Sequence, residues 1–332
     1  MRPFLAIPSL CALCFLNNYA SAAEAPAQPL VAPPAKAAPA VALPVPTFAN
    51  VAYGTHERQV LDFYQAKSDK PTPLLFFIHG GGWVSGDKEG VNPAPYLAAG
   101  ISVASINYRY SWQAQLAGAK PPVEWPLHDA ARALQFVRSK AAAWNIDKQR
   151  IGASGGSAGA CSSLWLAFHN DLADPKSSDP IARESTRLWC AAVTGAQTSL
   201  DPQQLKEWTP NSRYGGHAFG FMDPNNLKSR DTRFAEFLAA RESVLPWIKE
   251  YSPIELLTAD DAPVYLIYND LPALGQAQKD PTHTSNYGVK LLEKCKSIGV
   301  GCEFVYPGAP DVKHKSTQDY LIETLKAASA KS

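Results

Sequence analysis

Ser157 stands at the centre of Gly155-Gly156-Ser157-Ala158-Gly159, directly after the apolar run Arg150-Ile151-Gly152-Ala153 and directly before a small-residue, then apolar, segment. That context predicts a strand turning sharply into a helix with the serine at the turn. A serine hydroxyl is a weak nucleophile and must project from such a turn toward a base and the carbonyl it attacks. Glycine at 155 and 159 removes the side chains that would collide with the neighbouring backbones. The chemistry this arrangement serves is acyl transfer. Upstream, His79-Gly80-Gly81-Gly82-Trp83 closes the strand-like run Leu74-Leu75-Phe76-Phe77-Ile78. Its glycines can turn backbone N–H groups toward the oxygen that becomes negative in a tetrahedral intermediate, with Ala158 N–H at the helix start as a further donor. His79 reads as the holder of this loop through backbone bonds. Trp83 reads as packing beneath or beside the loop, or as a wall of a substrate pocket.

A serine nucleophile needs a base, and the base an orienting acid, in the chain order Ser, Asp or Glu, His when the nucleophile sits on this kind of turn. Three histidines lie beyond the serine's helix: His217, His283 and His314. His314 follows the last predicted strand, where the base is expected, and is assigned that role. The acid is expected after the penultimate strand, Val264 to Tyr268. Asp280, just ahead of the helix predicted from Ser285, is the favoured acid, and Asp270, immediately after the strand, is the alternative. Asp270 also reads as the cap of the turn Asn269-Asp270-Leu271-Pro272. His283 lies near the proposed acid and has three readings: a helix-start or packing residue, a ligand-facing residue, or the base itself. His217, beside Gly215-Gly216, reads as structural or as pointing into the pocket. His56, His128 and His169 read as structural.

These residues need a scaffold, and the rest of the chain describes one. Its 332 residues are 46% hydrophobic with a formal net charge of +1, which suits one large α/β domain with decorations. Lysines and arginines are scattered without a phosphate-binding stripe, so nucleic acid is not an expected partner. No Cys/His cluster has metal-ligand spacing, and neither a metal nor an organic cofactor is expected. Arg2, the apolar stretch Phe4 to Phe15 and Ala20-Ser21-Ala22 read as a signal peptide over residues 1–22, too short for a membrane span, and so predict export to the periplasm or beyond. The Pro/Ala-rich residues 23–47 read as a disordered linker. Cys161 and Cys190 read as buried thiols, whereas Cys295 and Cys302 are able to pair in an oxidising compartment.

From residue 48 to 332 strand and helix patterns alternate. Strands are predicted at Val60–Tyr64, Leu74–His79, Ile101–Asn107, Arg150–Ala153, Leu188–Thr194, Val264–Tyr268 and Cys302–Tyr306. Helices are predicted at Pro126–Trp144, Ala158–His169, Ser285–Ser297 and Thr317–Ala328. The alternation argues a mostly parallel central sheet with helices on both faces. Residues 198–257, rich in aromatics, prolines and charges (Trp208, Tyr214, Phe219, Phe221, Trp247), break the rhythm and read as a cap-like insertion over the site. A surface excursion packed on the domain's side is the other reading.

Taken together, His79-Gly80-Gly81-Gly82-Trp83, Asn107-Tyr108-Arg109 and Gly155-Gly156-Ser157-Ala158-Gly159, with Tyr53-Gly54 and Leu61-Asp62 as an entry strand, resemble the hormone-sensitive-lipase-like and carboxylesterase branch of the α/β-hydrolases. The resemblance runs from about residue 50 to the end and is strongest up to Ala160. It implies an α/β-hydrolase fold, Ser157 as nucleophile, Gly81, Gly82 and Ala158 N–H groups as the oxyanion hole, and His314 as base. Three features depart from the family's pattern: Gly156 where an Asp is usual, the long 269–280 loop, and a His314 without flanking glycines. The implied activity is hydrolysis of carboxylic esters through an acyl-enzyme. Short acyl groups such as acetate, on small alcohols or carbohydrates, are the first expectation. Feruloyl or aryl esters and peptides are alternatives, and a non-catalytic binding protein on the same fold is the alternative of another class.

Overall fold

The computed structural model describes residues 43–327. The signal peptide predicted at 1–22 and most of the linker predicted at 23–47 lie outside the described residues.

The described chain opens with β1 (Phe48–Ala52), β2 (Val60–Tyr64), β3 (Thr72–Ile78), α1 (Ala94–Ala98) and β4 (Ser102–Ile106). Then come α2 (Ser111–Leu116), α3 (Glu124–Ser139), β5 (Ile146–Gly156), α4 (Ala158–Phe168) and β6 (Cys190–Thr194). The segment after β6 holds α5 (Pro202–Trp208), α6 (Phe234–Ala239), α7 (Arg241–Tyr251) and α8 (Pro253–Leu256). The chain closes with β7 (Val264–Ile267), α9 (Asn286–Ile298), β8 (Cys302–Val305) and α10 (Thr317–Lys326).

The strands form one eight-stranded sheet in the order β1-β2-β4-β3-β5-β6-β7-β8. Pairing is antiparallel from β1 through β2 to β4 and parallel from there to β8. This is the mostly parallel α/β-hydrolase sheet expected. β1, whose residues are largely exposed on the sheet's edge, lacks the apolar signal of the others and was not foreseen.

Strand alternation divides the core. On β3, Leu74, Phe76 and Ile78 face one side and join Leu127, Leu134, Leu164 and Leu291 from α3, α4 and α9. Leu75 faces the other side, with Tyr96 of α1 and Tyr320, Leu321 and Leu325 of α10. A central parallel strand buried on both faces reads as an unbroken apolar run for this reason. α4 is buried along its whole length, so the helix that follows Ser157 is fixed by the core. At about 25 cal/mol per Å² of apolar surface, each fully buried leucine on these faces stabilises the fold by roughly 2 kcal/mol.

Residues 198–257 carry the four helices α5 to α8, with turns and short 3-10 segments between α5 and α6. Asp201 accepts from Gln203 N to cap α5, and Arg241 at the start of α7 reaches back to pair with Asp201. Phe237 packs against Phe219, Phe221 and Phe234. The aromatics that spoiled the strand pattern thus pack on one another and join the main hydrophobic core. The insertion joins the main body through Val123 N–H, which donates to Ala218 O at 3.0 Å, and through the Gln115 amide, which donates to Gly220 O and Met222 O.

Cys161, Cys190, Cys295 and Cys302 are all free thiols. The pair read as able to bridge, Cys295 on α9 and Cys302 on β8, is not disulfide-bonded. No helix among the described residues is long and apolar enough to cross a membrane.

Candidate active site

β5 ends at Gly156 and α4 begins at Ala158, so Ser157 is the single residue between them, with φ 54° and ψ −121°. Positive φ in a residue with a side chain costs about 1–3 kcal/mol and persists only where the surroundings enforce it. Here Ser157 N–H donates to Thr194 O at 3.1 Å and Cys161 N–H to Ser157 O at 2.9 Å. Glycines clear the space around the turn. A Cβ on Gly159 would lie 2.0 Å from Ile78 O, and one on Gly155 2.3 Å from the same oxygen. The serine is therefore pushed out of the sheet at the carboxyl ends of the parallel strands, where ligands bind in such folds.

The glycine loop after β3 runs beside it: a Cβ on Gly80 would stand 3.6 Å from Ser157 Cβ. Gly81, Gly82 and Trp83 all have positive φ, at 98°, 62° and 56°. Neither the Gly81 nor the Gly82 N–H donates a hydrogen bond to any described residue, leaving both donors open. The loop is held from below. Tyr108 Oη donates to His79 O and Gly80 O at 2.9 and 3.1 Å, and the His79 ring stacks on Tyr108 at 4.2 Å. His79 Nδ1 lies 2.8 Å from Gly80 O, as expected of a loop holder. Burial pushes its pKa down to about 4, against the smaller opposing pull of the Gly80 carbonyl. Trp83 is fully buried and its indole N–H donates to Ser162 Oγ at 2.9 Å. It is an anchor beneath the loop and not a pocket wall.

His283 Nε2 lies 2.9 Å from Ser157 Oγ, and His283 Nδ1 lies 2.8 Å from Asp280 Oδ2. The base-and-acid positions are thus filled from one loop, between β7 and α9. This corrects the assignment of His314. That residue is buried between two carboxylates, Nδ1 2.8 Å from Glu303 Oε2 and Nε2 3.1 Å from Glu323 Oε2, and its carbonyl accepts from Tyr265 Oη. Both ring nitrogens are taken in tying β8 to α10. Of the two acids considered, Asp280 meets the imidazole. Asp270 instead accepts from Ser285 N–H and Oγ at 3.0 Å each, pinning the start of α9.

The loop carrying Asp280 and His283 is built to a fixed shape. Asp280 Oδ1 accepts from Thr282 N and His283 N, closing a turn that brings the side chains at positions 280 and 283 together. Gln197 donates to Thr282 O at 2.7 Å, and Asn286 Nδ2 donates to Trp208 O and Thr209 Oγ1. Gly195, with φ 58°, passes so close that a Cβ there would stand 3.3 Å from His283 Cβ. Neither Gly195 nor Gln197 was singled out from sequence; the glycine directly after a strand of the parallel sheet was the available signal. Partial burial raises the Asp280 pKa, but the hydrogen bond and charge of His283 and the two amides outweigh it, so the carboxyl lies below the ordinary aspartate range.

His217, read as structural or pocket-facing, is fully buried within the insertion, its ring 5.9 Å from Trp83 and 5.0 Å from Tyr214. Arg230 comes from the same insertion and touches the glycine loop: its Nη1 would lie 2.7 Å from a Gly82 Cβ. The insertion therefore packs directly on the glycine loop whose N–H groups are unpaired. A cavity of about 610 Å³ lies away from the serine, between α9 and β8, and one of about 430 Å³ opens beside Gly195, Asp270, Asp280 and His283.

A hydroxyl in hydrogen-bond reach of an imidazole, itself oriented by a carboxylate, beside two open backbone donors, is the arrangement by which serine nucleophiles attack acyl carbons. The chain is also similar to known esterases. A stretch of the chain is 30% identical over 162 residues to gut esterase 1 of Caenorhabditis elegans, covering 47% of this chain and 28% of that protein. Another is 33% identical over 173 residues to the probable carboxylic ester hydrolase LipM of Mycobacterium tuberculosis, covering 47% and 37%. The chain thus spans well under half the length of these curated relatives. Among solved structures, a truncated carbohydrate esterase from gut microbiota superposes with a TM-score of 0.61 at 21% identity, over 84% of this chain and 96% of that one. The acetyl ester-xyloside bifunctional hydrolase of Caldicellulosiruptor lactoaceticus gives 0.55 at 23%, over 74% and 76%. These likenesses establish the α/β-hydrolase fold. Residues 61–274 match the BD-FAE family, and the chain belongs to that family, on the carboxylesterase branch of the α/β-hydrolases.

Proposed function

We propose that the protein is a carboxylesterase-type serine hydrolase in which Ser157 is the nucleophile, His283 the base and Asp280 the orienting acid. The observation that carries this reading is the unbroken relay Asp280 Oδ2, His283 Nδ1, His283 Nε2, Ser157 Oγ, with both links under 3.0 Å. In the first half-reaction His283 takes the Ser157 proton as Oγ bonds to the ester carbon. The carbonyl oxygen becomes an oxyanion between the Gly81, Gly82 and Ala158 N–H groups. His283 then gives its proton to the departing alcohol, leaving an acyl-serine. In the second, water is deprotonated by His283, attacks the acyl carbon and releases the acid, and the proton returns to Ser157.

Short acyl esters are the proposed substrates, acetate first, on small alcohols or carbohydrates. The close packing of His217 beside Trp83 and of Arg230 against Gly82 supports a small group there over a long chain. The insertion is proposed to act as a cap. Export directed by residues 1–22 is also proposed, and predicts a mature chain that starts at Ala23. Turnover of p-nitrophenyl acetate by the wild type and by Ser157→Ala tests the reaction: the variant should lose essentially all of it. Equal rates would mean that Ser157 is not the nucleophile.

A further inference from the structure

Among the described residues nine buried side-chain nitrogen and oxygen atoms lack a hydrogen-bond partner, and six of them belong to Ser212, Tyr214, His217, Asp231 and Tyr287. These residues are neighbours. The Tyr214 and His217 rings meet edge to face at 5.0 Å, and His217 Nδ1 is 3.8 Å from Asp231 Oδ1, beyond hydrogen-bond reach. The Ser212 hydroxyl lies beside that of Tyr287 without hydrogen-bond geometry. Buried polar atoms are normally paired, and leaving one unpaired costs more than a made bond returns. Six in one place point to a partner that the described residues do not supply.

The cluster borders the reacting atoms. His217 packs on Trp83 of the oxyanion loop, and Tyr287 stands on the first turn of α9, which follows His283 directly. Arg230 forms the outer wall, about a third exposed, with its guanidinium against Gly82. Its Nε and Nη2 are held by Asp231 Oδ2, and Nη1 makes no hydrogen bond to a described residue.

Chemistry narrows the ligand. Burial, helped by the Arg230 charge and only weakly opposed by the Gly82 backbone, drives the His217 pKa down to about 3, so its ring is neutral and offers one donor and one acceptor. The three hydroxyls each do both, Arg230 Nη1 donates, and Asp231 Oδ1 accepts. Arg230 and Asp231 cancel in charge. An alkyl group would leave all of these unpaired, and a carboxylate would meet Asp231. A neutral group with hydroxyls satisfies both kinds of partner.

We propose that Ser212, Tyr214, His217, Arg230, Asp231 and Tyr287 form a specificity subsite that reads hydroxyl groups on one arm of the ester. The proposal rests on the hydrolase reading above and names its substrate class: esters in which the acyl or the alcohol part is hydroxylated. A site built to bond a substrate hydroxyl rejects the analogue without it strongly, by far more than a hydrophobic pocket rejects a missing methylene.

Two matched pairs test it in a pH-stat: methyl 3-hydroxybutyrate against methyl butyrate for the acyl arm, and glycerol monoacetate against propyl acetate for the alcohol arm. The wild type should favour the hydroxylated member of one pair by at least about tenfold in kcat/KM. Tyr214→Phe and Tyr287→Phe each remove a single oxygen, and the ratio taken within each variant cancels any general loss from altered folding. That ratio should fall toward one in both. A wild-type ratio near one in both arms overturns the subsite, the buried atoms then being served by water alone, as does a preference that survives both substitutions. If the wild type hydrolyses none of the four esters or p-nitrophenyl acetate, the hydrolase reading itself fails. Turnover without preference removes only the subsite.

Discussion

Replacing Asp280 by asparagine removes a charge but almost no volume, and the structure sets what should follow. Asp280 Oδ2 is 2.8 Å from His283 Nδ1, with the two side chains 59% and 39% exposed. Coulomb's law for unit charges at that distance gives about 1.5 kcal/mol in water and about 6 kcal/mol at an effective dielectric of 20. This exposure places the developing imidazolium between those limits and nearer the first. The amide also favours the wrong imidazole tautomer, since its NH₂ cannot accept from Nδ1–H. The sum is about 2–4 kcal/mol of lost transition-state stabilisation, or roughly 30- to 1000-fold in kcat. Asp270→Asn is the control. Its Oδ1 accepts from Ser285, a task that an amide oxygen also performs, so kcat should change less than about threefold. Steady-state turnover of p-nitrophenyl acetate, with circular dichroism to verify folding, reads both. An Asp280→Asn variant within threefold of wild type beside an Asp270→Asn variant that is inactive would refute the assignment of the acid.

Gly159→Ala would set a Cβ 2.0 Å from Ile78 O and 2.7 Å from His79 O, both backbone atoms that cannot swing aside. Overpacking of this kind costs about 3 kcal/mol, so the urea midpoint should drop markedly, and an unchanged midpoint would contradict the described elbow. His79 and His217 are buried with pKa values held at about 4 and about 3, below the ordinary histidine value of 6.5. The unfolded chain therefore binds more protons than the folded one from about pH 6.5 downward, and stability falls with pH. Between pH 7 and pH 5 each contributes a loss of about 2 kcal/mol. His217→Gln should flatten that decline in urea denaturation, and an identical slope would show that His217 is not buried neutral.

Much of the site was legible because its signals are local. Gly155, Ser157 and Gly159 specify a strained turn by their spacing alone, and the Gly80–Gly82 run specifies a loop that needs positive φ, which Gly81 and Gly82 adopt. The parallel strands were legible as apolar runs buried on both sides. The base was not, because its identity depends on which of two distant loops reaches Ser157. Chain order allows His283 and His314 equally, and the usual position after the last strand favoured His314. What decides is a turn: Asp280 accepts from Thr282 N and His283 N, so the unusually long loop after β7 carries acid and base together. His314 was then free to join β8 to α10 through Glu303 and Glu323. The insertion's helices were hidden for a related reason. Their aromatics pack on one another and follow no single amphipathic period.

The central claim, that His283 activates Ser157, is tested most directly by covalent labelling. A fluorophosphonate reacts with a serine only when a neighbouring base removes its proton. Intact-mass and peptide mapping of the labelled wild type should place one adduct on Ser157. The second-order labelling rate should fall by at least about a hundredfold in His283→Ala, while His314→Ala, provided that it remains folded, should label at nearly the wild-type rate. Fast labelling of Ser157 in His283→Ala together with loss of labelling in a folded His314→Ala would contradict the account.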